Sequence, residues 1–280
     1  MSDQCNSCAA SGNCAVDPDQ CGTDPQKSLH GSLNRIGKVI VVMSGKGGVG
    51  KSSITALLAS AFVRHGNKVG ILDADITGPS QHKAFGMQNH KLTASQYGLI
   101  PPTTATGIKI MSVSFFLPAE DDPVIWRGPM LSGAVKQFWG EVDWRELDYL
   151  FIDLPPGTGD VPLTVIQSLP VSGIVIVSSP QDLAFMVVKK TIKMTSKMQI
   201  PVLGLVENMS HFVCPHCGDS SNIFGPNRGA QVAADYGINF LGSLPWDSGL
   251  NALVDAGLVE EYNSPDTDRV AAAVLGLLKE

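Results

Sequence analysis

Two groups of residues have the types and spacing to do chemistry. The first is Gly45-Lys46-Gly47-Gly48-Val49-Gly50-Lys51-Ser52-Ser53, which satisfies G-x-x-x-x-G-K-[ST]. Glycines let backbone N–H groups turn inward onto phosphate oxygens, and a helix starting at the end of the loop adds its positive end. Lys51 would reach the β- and γ-phosphates, and the Ser52 hydroxyl would ligate Mg²⁺. The second group is the six cysteines, which fall in two clusters: Cys5, Cys8, Cys14 and Cys21, then Cys214 and Cys217. Each cluster contains a Cys-x-x-Cys pair. In a reducing compartment that spacing points to metal ligation or redox chemistry before disulfides.

The glycine loop also satisfies G-x-G-x-x-G through Gly45, Gly47 and Gly50, with Asp73 placed as a dinucleotide-binding acid would be. Three features favour a nucleoside triphosphate instead. Two lysines in the loop have no role against a ribose-linked pyrophosphate, and Ser52 would have no metal to hold. A later apolar run, Tyr149-Leu150-Phe151-Ile152, ends in Asp153, the pattern of a Walker B carboxylate that holds Mg²⁺ through its water shell.

These residues need a scaffold, and the chain can supply one. With 280 residues, 44% hydrophobic and 16% charged, it is apolar enough to fold without staples. Short apolar, β-rich runs recur at 39–43, 69–72, 108–113, 149–152, 174–177, 202–206 and 240–244. Helical patterns lie between several of them, at 55–65, 127–142, 159–169, 228–236 and 266–279. A further helix is marked by an apolar stripe through Leu183, Val187, Met194 and Met198. The alternation predicts an α/β fold with a mostly parallel, doubly covered sheet of about seven strands and ligands at the strands' carboxyl ends. Residues 1–33 differ: four Asp against one Lys, and no apolar periodicity. They read as a flexible, Cys-containing tail, with the nucleotide domain at 34–280 and a Cys-x-x-Cys insertion at 209–226.

Lys46, an extra lysine early in the loop, makes it resemble the deviant Walker A of the MinD/ParA/nitrogenase-iron-protein class of ATPases. The resemblance implies that Lys46 reaches across a homodimer to the partner's nucleotide. Leu72-Asp73-Ala74-Asp75 resembles the first switch of that class, which implies Asp75 orienting the attacking water and Asp73 near Mg²⁺. The run from Asp153 through Leu154-Pro155-Pro156-Gly157-Thr158-Gly159-Asp160 resembles the second switch, and Asn208 matches the adenine-contacting Asn.

Within the class, the chain over about 36–280 resembles the Mrp family of iron–sulfur carrier ATPases. The matching segments are Asp73-Ala74-Asp75-Ile76-Thr77-Gly78-Pro79-Ser80, Trp126-Arg127-Gly128-Pro129-Met130, the Asp153 to Asp160 run, and Glu207-Asn208-Met209-Ser210 followed by Cys214-Pro215-His216-Cys217-Gly218. The resemblance implies that the Cys214/Cys217 pairs of two protomers bridge one 4Fe–4S cluster. The chemistry is consistent: two thiolates are half of the usual four, and a two-fold axis supplies the rest. Zinc could use the same four thiolates. His211 and His216 could ligate either metal, though solvated loop residues are the plainer reading. In the tail, Cys5, Cys8 and Cys14 reproduce three cysteines of the nucleotide-binding-protein branch, but the fourth, Cys21, lies downstream where that branch has its own upstream. Four such thiolates can close round a second 4Fe–4S cluster or round zinc.

Other features bound the function. A net charge of −6 and pI ≈ 5.5 argue against a nucleic-acid face. No apolar run is long enough to span a bilayer, and the first residues do not resemble a signal peptide, so a cytoplasmic protein is expected. The C-terminal stretch places Val270, Val274, Leu277 and Leu278 on one helical face but has too few basic residues for membrane binding, so packing on the domain is expected. Trp126, Trp139, Trp144 and Trp246 read as packing residues. The expected function is an ATP- and Mg²⁺-dependent, slowly hydrolysing homodimeric cluster carrier that serves apo iron–sulfur proteins. The alternatives are an ATP-driven electron-transfer protein like the nitrogenase iron protein, or a MinD/ParA-like positioning ATPase with a zinc clamp.

Overall fold

The structure is a computed structural model that describes residues 34–75, 78, 80–116 and 128–279. The tail with Cys5, Cys8, Cys14 and Cys21, and Ile76, Thr77, Pro79, Trp126 and Arg127, lie outside the described residues. The elements begin with β1 (Arg35–Ser44), α1 (Lys51–Arg64), β2 (Val69–Asp73), α2 (Gln81–Ala84), a hairpin of β3 (Thr93–Ser95) and β4 (Gly98–Ile100), β5 (Lys109–Ser112) and α3 (Gly128–Glu141). They continue with β6 (Glu146–Asp153), α4 (Asp160–Ser168), β7 (Gly173–Ser178), α5 (Asp182–Lys197) and β8 (Val202–Glu207). The last part holds a second hairpin, β9 (Phe212–Val213) and β10 (Ser220–Ser221), then α6 (Gly229–Asp235), β11 (Phe240–Ser243), α7 (Ser248–Ala256) and α8 (Pro265–Lys279).

Seven strands form one parallel sheet in the order β11-β8-β7-β1-β6-β2-β5. All seven expected runs are in it. The reason those runs are continuously apolar is visible in β1. Ile40 and Val42 face the core shared with α1 and α8, while Val39, Val41 and Met43 face the other side, and all are 2% exposed or less. A strand covered on both faces has no position for a polar residue. The carboxyl ends escape this rule, and there the registry sets Asp73 of β2 opposite Asp153 of β6, with Ser112 of β5 beyond Asp73.

Helix α1 crosses the middle of the sheet and is buried over most of its length. Phe62 meets Tyr149 and Phe151 edge-on, with ring centroids 4.9 and 5.0 Å apart. Helix α8 covers α1 with Val270, Val274 and Leu278, and Leu277 packs partly against the same core, as expected for the C-terminal helix. Trp139 and Trp144 are buried, and Trp246 is half-buried.

Two differences from expectation have simple causes. Helix α5 buries Val188, Thr191, Ile192 and Thr195, leaving Met194 half-buried. A stripe drawn through hydrophobic residues alone missed two buried threonines, a type that can bond its hydroxyl within its own helix, as Thr195 does to the Ile192 carbonyl at 3.0 Å. Helix α7 was not predicted, because none of its residues is fully buried and its periodicity is short. Its ends were legible: the Asp247 side chain accepts the Gly249 N–H at 2.7 Å, and Gly257 closes it at φ 75°. Among the described residues, no helix is long and apolar enough to cross a membrane.

Candidate functional site

The glycine loop joins β1 to α1 at the centre of the sheet, where Lys51 is the first helical residue. Gly50 stands immediately before it at φ 81°. A Cβ at Gly50 would also lie 2.2 Å from Nδ2 of Asn208, so this position requires glycine twice over. Together with Ser52, Asp75 and Pro156, the loop lines a cavity of about 190 Å³.

Three predicted carboxylates converge beneath it. Asp153 is fully buried and pairs with the ammonium of Lys51, itself only 6% exposed. Lys51 Nζ also lies 3.6 Å from Asp75 Oδ2 and donates to Ser52 Oγ at 3.3 Å. Asp73 is fully buried and accepts from the N–H groups of Asp75, Ser80 and Gln81 at 3.1–3.2 Å and from Ser112 Oγ at 3.3 Å. Burial first, and then the charge of Asp153, push the Asp73 carboxyl up to about 7, against the pull of the Gln81 N–H and of Lys51.

Sequence reasoning missed two members of this cluster. Thr55, one helical turn after Lys51, donates to Asp153 Oδ1 at 3.3 Å, a spacing that was readable from the helix. Gln81 donates through Nε2 to Asp153 Oδ2 at 2.8 Å and to the Ser52 carbonyl at 3.0 Å. Nothing in the local sequence marks it, since its partners Asp153 and Ser52 are distant in the chain. Its Oε1 is buried without a hydrogen-bond partner.

The donor set fits magnesium: the Ser52 hydroxyl and the carboxylates of Asp73 and Asp153 are all hard oxygens. Among the described residues, no three His, Cys, Asp or Glu side chains form a group able to hold a metal by themselves. That is the character of Mg²⁺ sites that take part of their ligand shell from substrate phosphates.

The other predicted residues have distinct places. Lys46 is exposed, and its Nζ donates to Gln181 Oε1 at 2.9 Å within its own chain. Asn208, just past β8, is buried, and its Nδ2 donates to the Val49 carbonyl at 3.0 Å, so it braces the glycine loop. Gly47 and Gly48 are exposed at the loop's crest, Gly45 and Ser53 are half-buried, and Val49 is buried below.

A short stretch of chain carries Asn208 on to the cysteines, which sit at the tip of the β9–β10 hairpin. There the Cys214 N–H donates to the Asp219 carbonyl and the Gly218 N–H to the Cys214 carbonyl, both at 2.9 Å, with Gly218 at φ 75°. Cys214 is half-buried, and Cys217 is exposed with its thiol 3.3 Å from Asp219 Oδ2; both are free. The N–H of Cys217, then that of His216, then the Cys217 side chain hold the Cys214 thiol below its ordinary value. His216 is exposed, and His211 Nδ1 lies 2.9 Å from Ser210 Oγ. Phe212 packs on Trp246 at 5.5 Å, and the Trp246 N–H donates to the His211 carbonyl at 2.7 Å, fixing the hairpin's base. Both thiols thus belong to the hairpin tip, with Cys217 the more exposed.

The chain matches the model of the NUBPL iron-transfer P-loop NTPases over residues 35–278. An iron-sulfur cluster carrier protein of Methanocaldococcus jannaschii is 43% identical over 256 residues, covering 91% of this chain and 88% of that protein. Another, from Clostridium perfringens, is 42% identical over 267 residues, covering 92% and 94%. Among solved structures, the nucleotide-binding protein of Archaeoglobus fulgidus in complex with ADP is 48% identical with a TM-score of 0.76, covering 85% of this chain and 93% of that one. The cell division ATPase MinD of Pyrococcus furiosus, 18% identical with a TM-score of 0.61 over 86% and 99%, shares the fold. A glycine loop braced over paired carboxylates, a seven-stranded parallel sheet and a match along nearly the whole described chain agree: this protein belongs to the family of NUBPL iron-transfer P-loop NTPases.

Proposed function

We propose that the protein binds ATP with Mg²⁺, hydrolyses it slowly, and as a homodimer carries a labile 4Fe–4S cluster between its Cys214/Cys217 pairs for delivery to apo iron–sulfur proteins in the cytoplasm. The observation that carries this reading is the hairpin tip. It offers two accessible thiols, one with its thiolate form favoured, and no third ligand among the described residues. Two copies related by a two-fold axis make the four thiolates that a 4Fe–4S cluster takes.

The nucleotide side follows from the P-loop. A polyphosphate in the loop draws the Lys51 ammonium away from Asp153 and Asp75. Asp75 then orients water for in-line attack, and Lys46, released from Gln181, reaches the partner's nucleotide. Mg²⁺, held by Ser52 and Asp153 with Asp73 behind them, supplies charge neutralisation at the phosphates when bound. Asn208 touches the loop at Val49 and lies just before the cysteine hairpin, so a change in loop conformation is transmitted to the thiols over a short path. ATP shifts the cluster's retention only by the difference in its affinity for the two hairpin arrangements. The tail thiols Cys5, Cys8, Cys14 and Cys21 supply a second cluster site within one chain.

Iron, zinc and acid-labile sulfide per protomer, measured after anaerobic reconstitution, test this reading. The Cys214→Ser/Cys217→Ser variant should lose about two iron and two sulfide per protomer, half of one shared cluster, and keep whatever the tail holds. Zinc without sulfide in the wild type would overturn the carrier reading and leave a zinc-clamped P-loop ATPase.

A further inference from the structure

Gln81 is fully buried at the start of a helix of four residues, an unusual place for an uncharged polar side chain. Its amide nitrogen faces Asp153 Oδ2 and the Ser52 carbonyl, and its backbone N–H faces Asp73 Oδ2 at 3.1 Å. It therefore joins the glycine loop, the end of β6 and the end of β2. Neither a carboxylate nor a carbonyl has a hydrogen to give, so the carboxamide cannot be reversed, and the nitrogen must be the atom that faces both. Both of its hydrogens are then used, and Oε1 is left buried with no donor. A carbonyl oxygen shut away from water without a partner is costly, and it persists in native proteins where a function makes use of it.

Asp153 shows what that function is. Thr55 holds its Oδ1 and Gln81 its Oδ2, while Lys51 supplies the only cationic partner that the described ion pairs give it. When a phosphate takes Lys51, the two neutral donors remain and keep the carboxylate in place for a cation. A glutamate at position 81 would add a fourth carboxylate to Asp73, Asp75 and Asp153, and an apolar residue would leave Asp153 Oδ2 without a donor. A neutral amide offers two donors and one acceptor with no added charge.

Building on the assignment of the loop as an ATP and Mg²⁺ site, we propose that Gln81 is a positioning residue for the magnesium: its amide fixes Asp153 toward the cation, and its Oε1 accepts a hydrogen bond from the cation's hydration water. Magnesium sheds its water reluctantly and keeps several molecules when bound, so acceptors for that water are part of its site.

The test is calorimetric titration of a non-hydrolysable ATP analogue into the full-length protein, in excess Mg²⁺ and in EDTA, for wild type and Gln81→Met. Wild type should bind more tightly with Mg²⁺. Gln81→Met should bind within about twofold of wild type in EDTA and lose about tenfold of the Mg²⁺-dependent gain. An unchanged gain, or an equal fall in both conditions, would overturn the proposal, the second showing a merely structural bond to the loop. Wild-type binding that does not respond to Mg²⁺ overturns the role of Gln81 alone. No analogue binding by the wild type refutes the ATP reading beneath it. If the melting curve shows that Gln81→Met does not fold, Gln81→Asn, which keeps the amide but stops short of Asp153, is read by the same criteria.

Discussion

Lys51 and Cys214 stand on the two sides of Asn208, and their substitutions should separate. Lys51→Ala removes the cation that phosphate recruits and should abolish ATP hydrolysis and delivery to an apoprotein while leaving reconstituted iron per protomer unchanged. Cys214→Ala should do the reverse, losing the bridging cluster with ATP-analogue affinity intact. Iron analysis and calorimetry on both variants check this, and equal cluster loss in both would count against separate sites. Tyr262 shows how burial and a hydrogen bond together raise a titration. Tyr262 donates to Asp247 Oδ2 at 2.9 Å, and burial first, then that bond and the charge of Asp247, raise its phenol to about 12. The folded state keeps this proton longer than the unfolded chain, so the bond's stabilisation is complete below about pH 10 and is lost as pH rises toward 12. Absorbance at 295 nm should show one tyrosine ionising only above about pH 11, gone in Tyr262→Phe, which should destabilise by about 1 kcal/mol.

Strand β8 and the segment after it connect the two halves of the site. The Asn208 N–H is fixed to the Ser178 carbonyl at the end of β7, and its side chain to Val49. Asn208→Ala should weaken ATP-analogue binding by about tenfold, since it leaves the Val49 carbonyl unpaired below the loop. The β9–β10 hairpin is too short to stand alone and depends on Trp246, which holds it through one backbone bond and one ring contact. Trp246→Ala should therefore speed cluster loss to a chelator severalfold while nucleotide affinity stays put, measured by decay of the cluster's visible absorbance. Helix α1 serves both ends, because Lys51 and Thr55 reach Asp153 from its first turns while Phe62 anchors it on β6.

At the scale of the molecule, the parallel sheet carries its apolar residues through the interior and its carboxylates to one rim. Phe62→Ala, which empties the space between α1 and the sheet, should cost about 3–5 kcal/mol, read as the shift in a denaturant midpoint. If the two-thiol hairpin takes a bridging cluster as proposed, the functional unit is larger than one chain. A protomer of 29.6 kDa should run at twice that mass by light scattering once its cluster is loaded, and Cys214→Ser should not gain mass on the same treatment. A monomeric, cluster-loaded protein would sink the bridging arrangement.

The residues of the glycine loop, Asp153 and the Cys214/Cys217 pair stand out in the chain because the spacing that suggests their chemistry lies within one segment. The seven strands were legible because burial on both faces leaves no other composition for a central parallel strand. The order of those strands was not, since registry such as Asp73 opposite Asp153 joins residues far apart in sequence. Gln81 escaped notice for the same reason: its meaning lies in Asp153 and Ser52, which only the returning chain brings to it. The motif of Asn208 raises the expectation of a nucleotide contact, whereas its bond to the Val49 carbonyl is visible only in the fold. Local geometry and patterning are written in neighbouring residues, whereas pairing across a sheet and the bonding of a distant amide to a buried charge are settled by packing the whole chain.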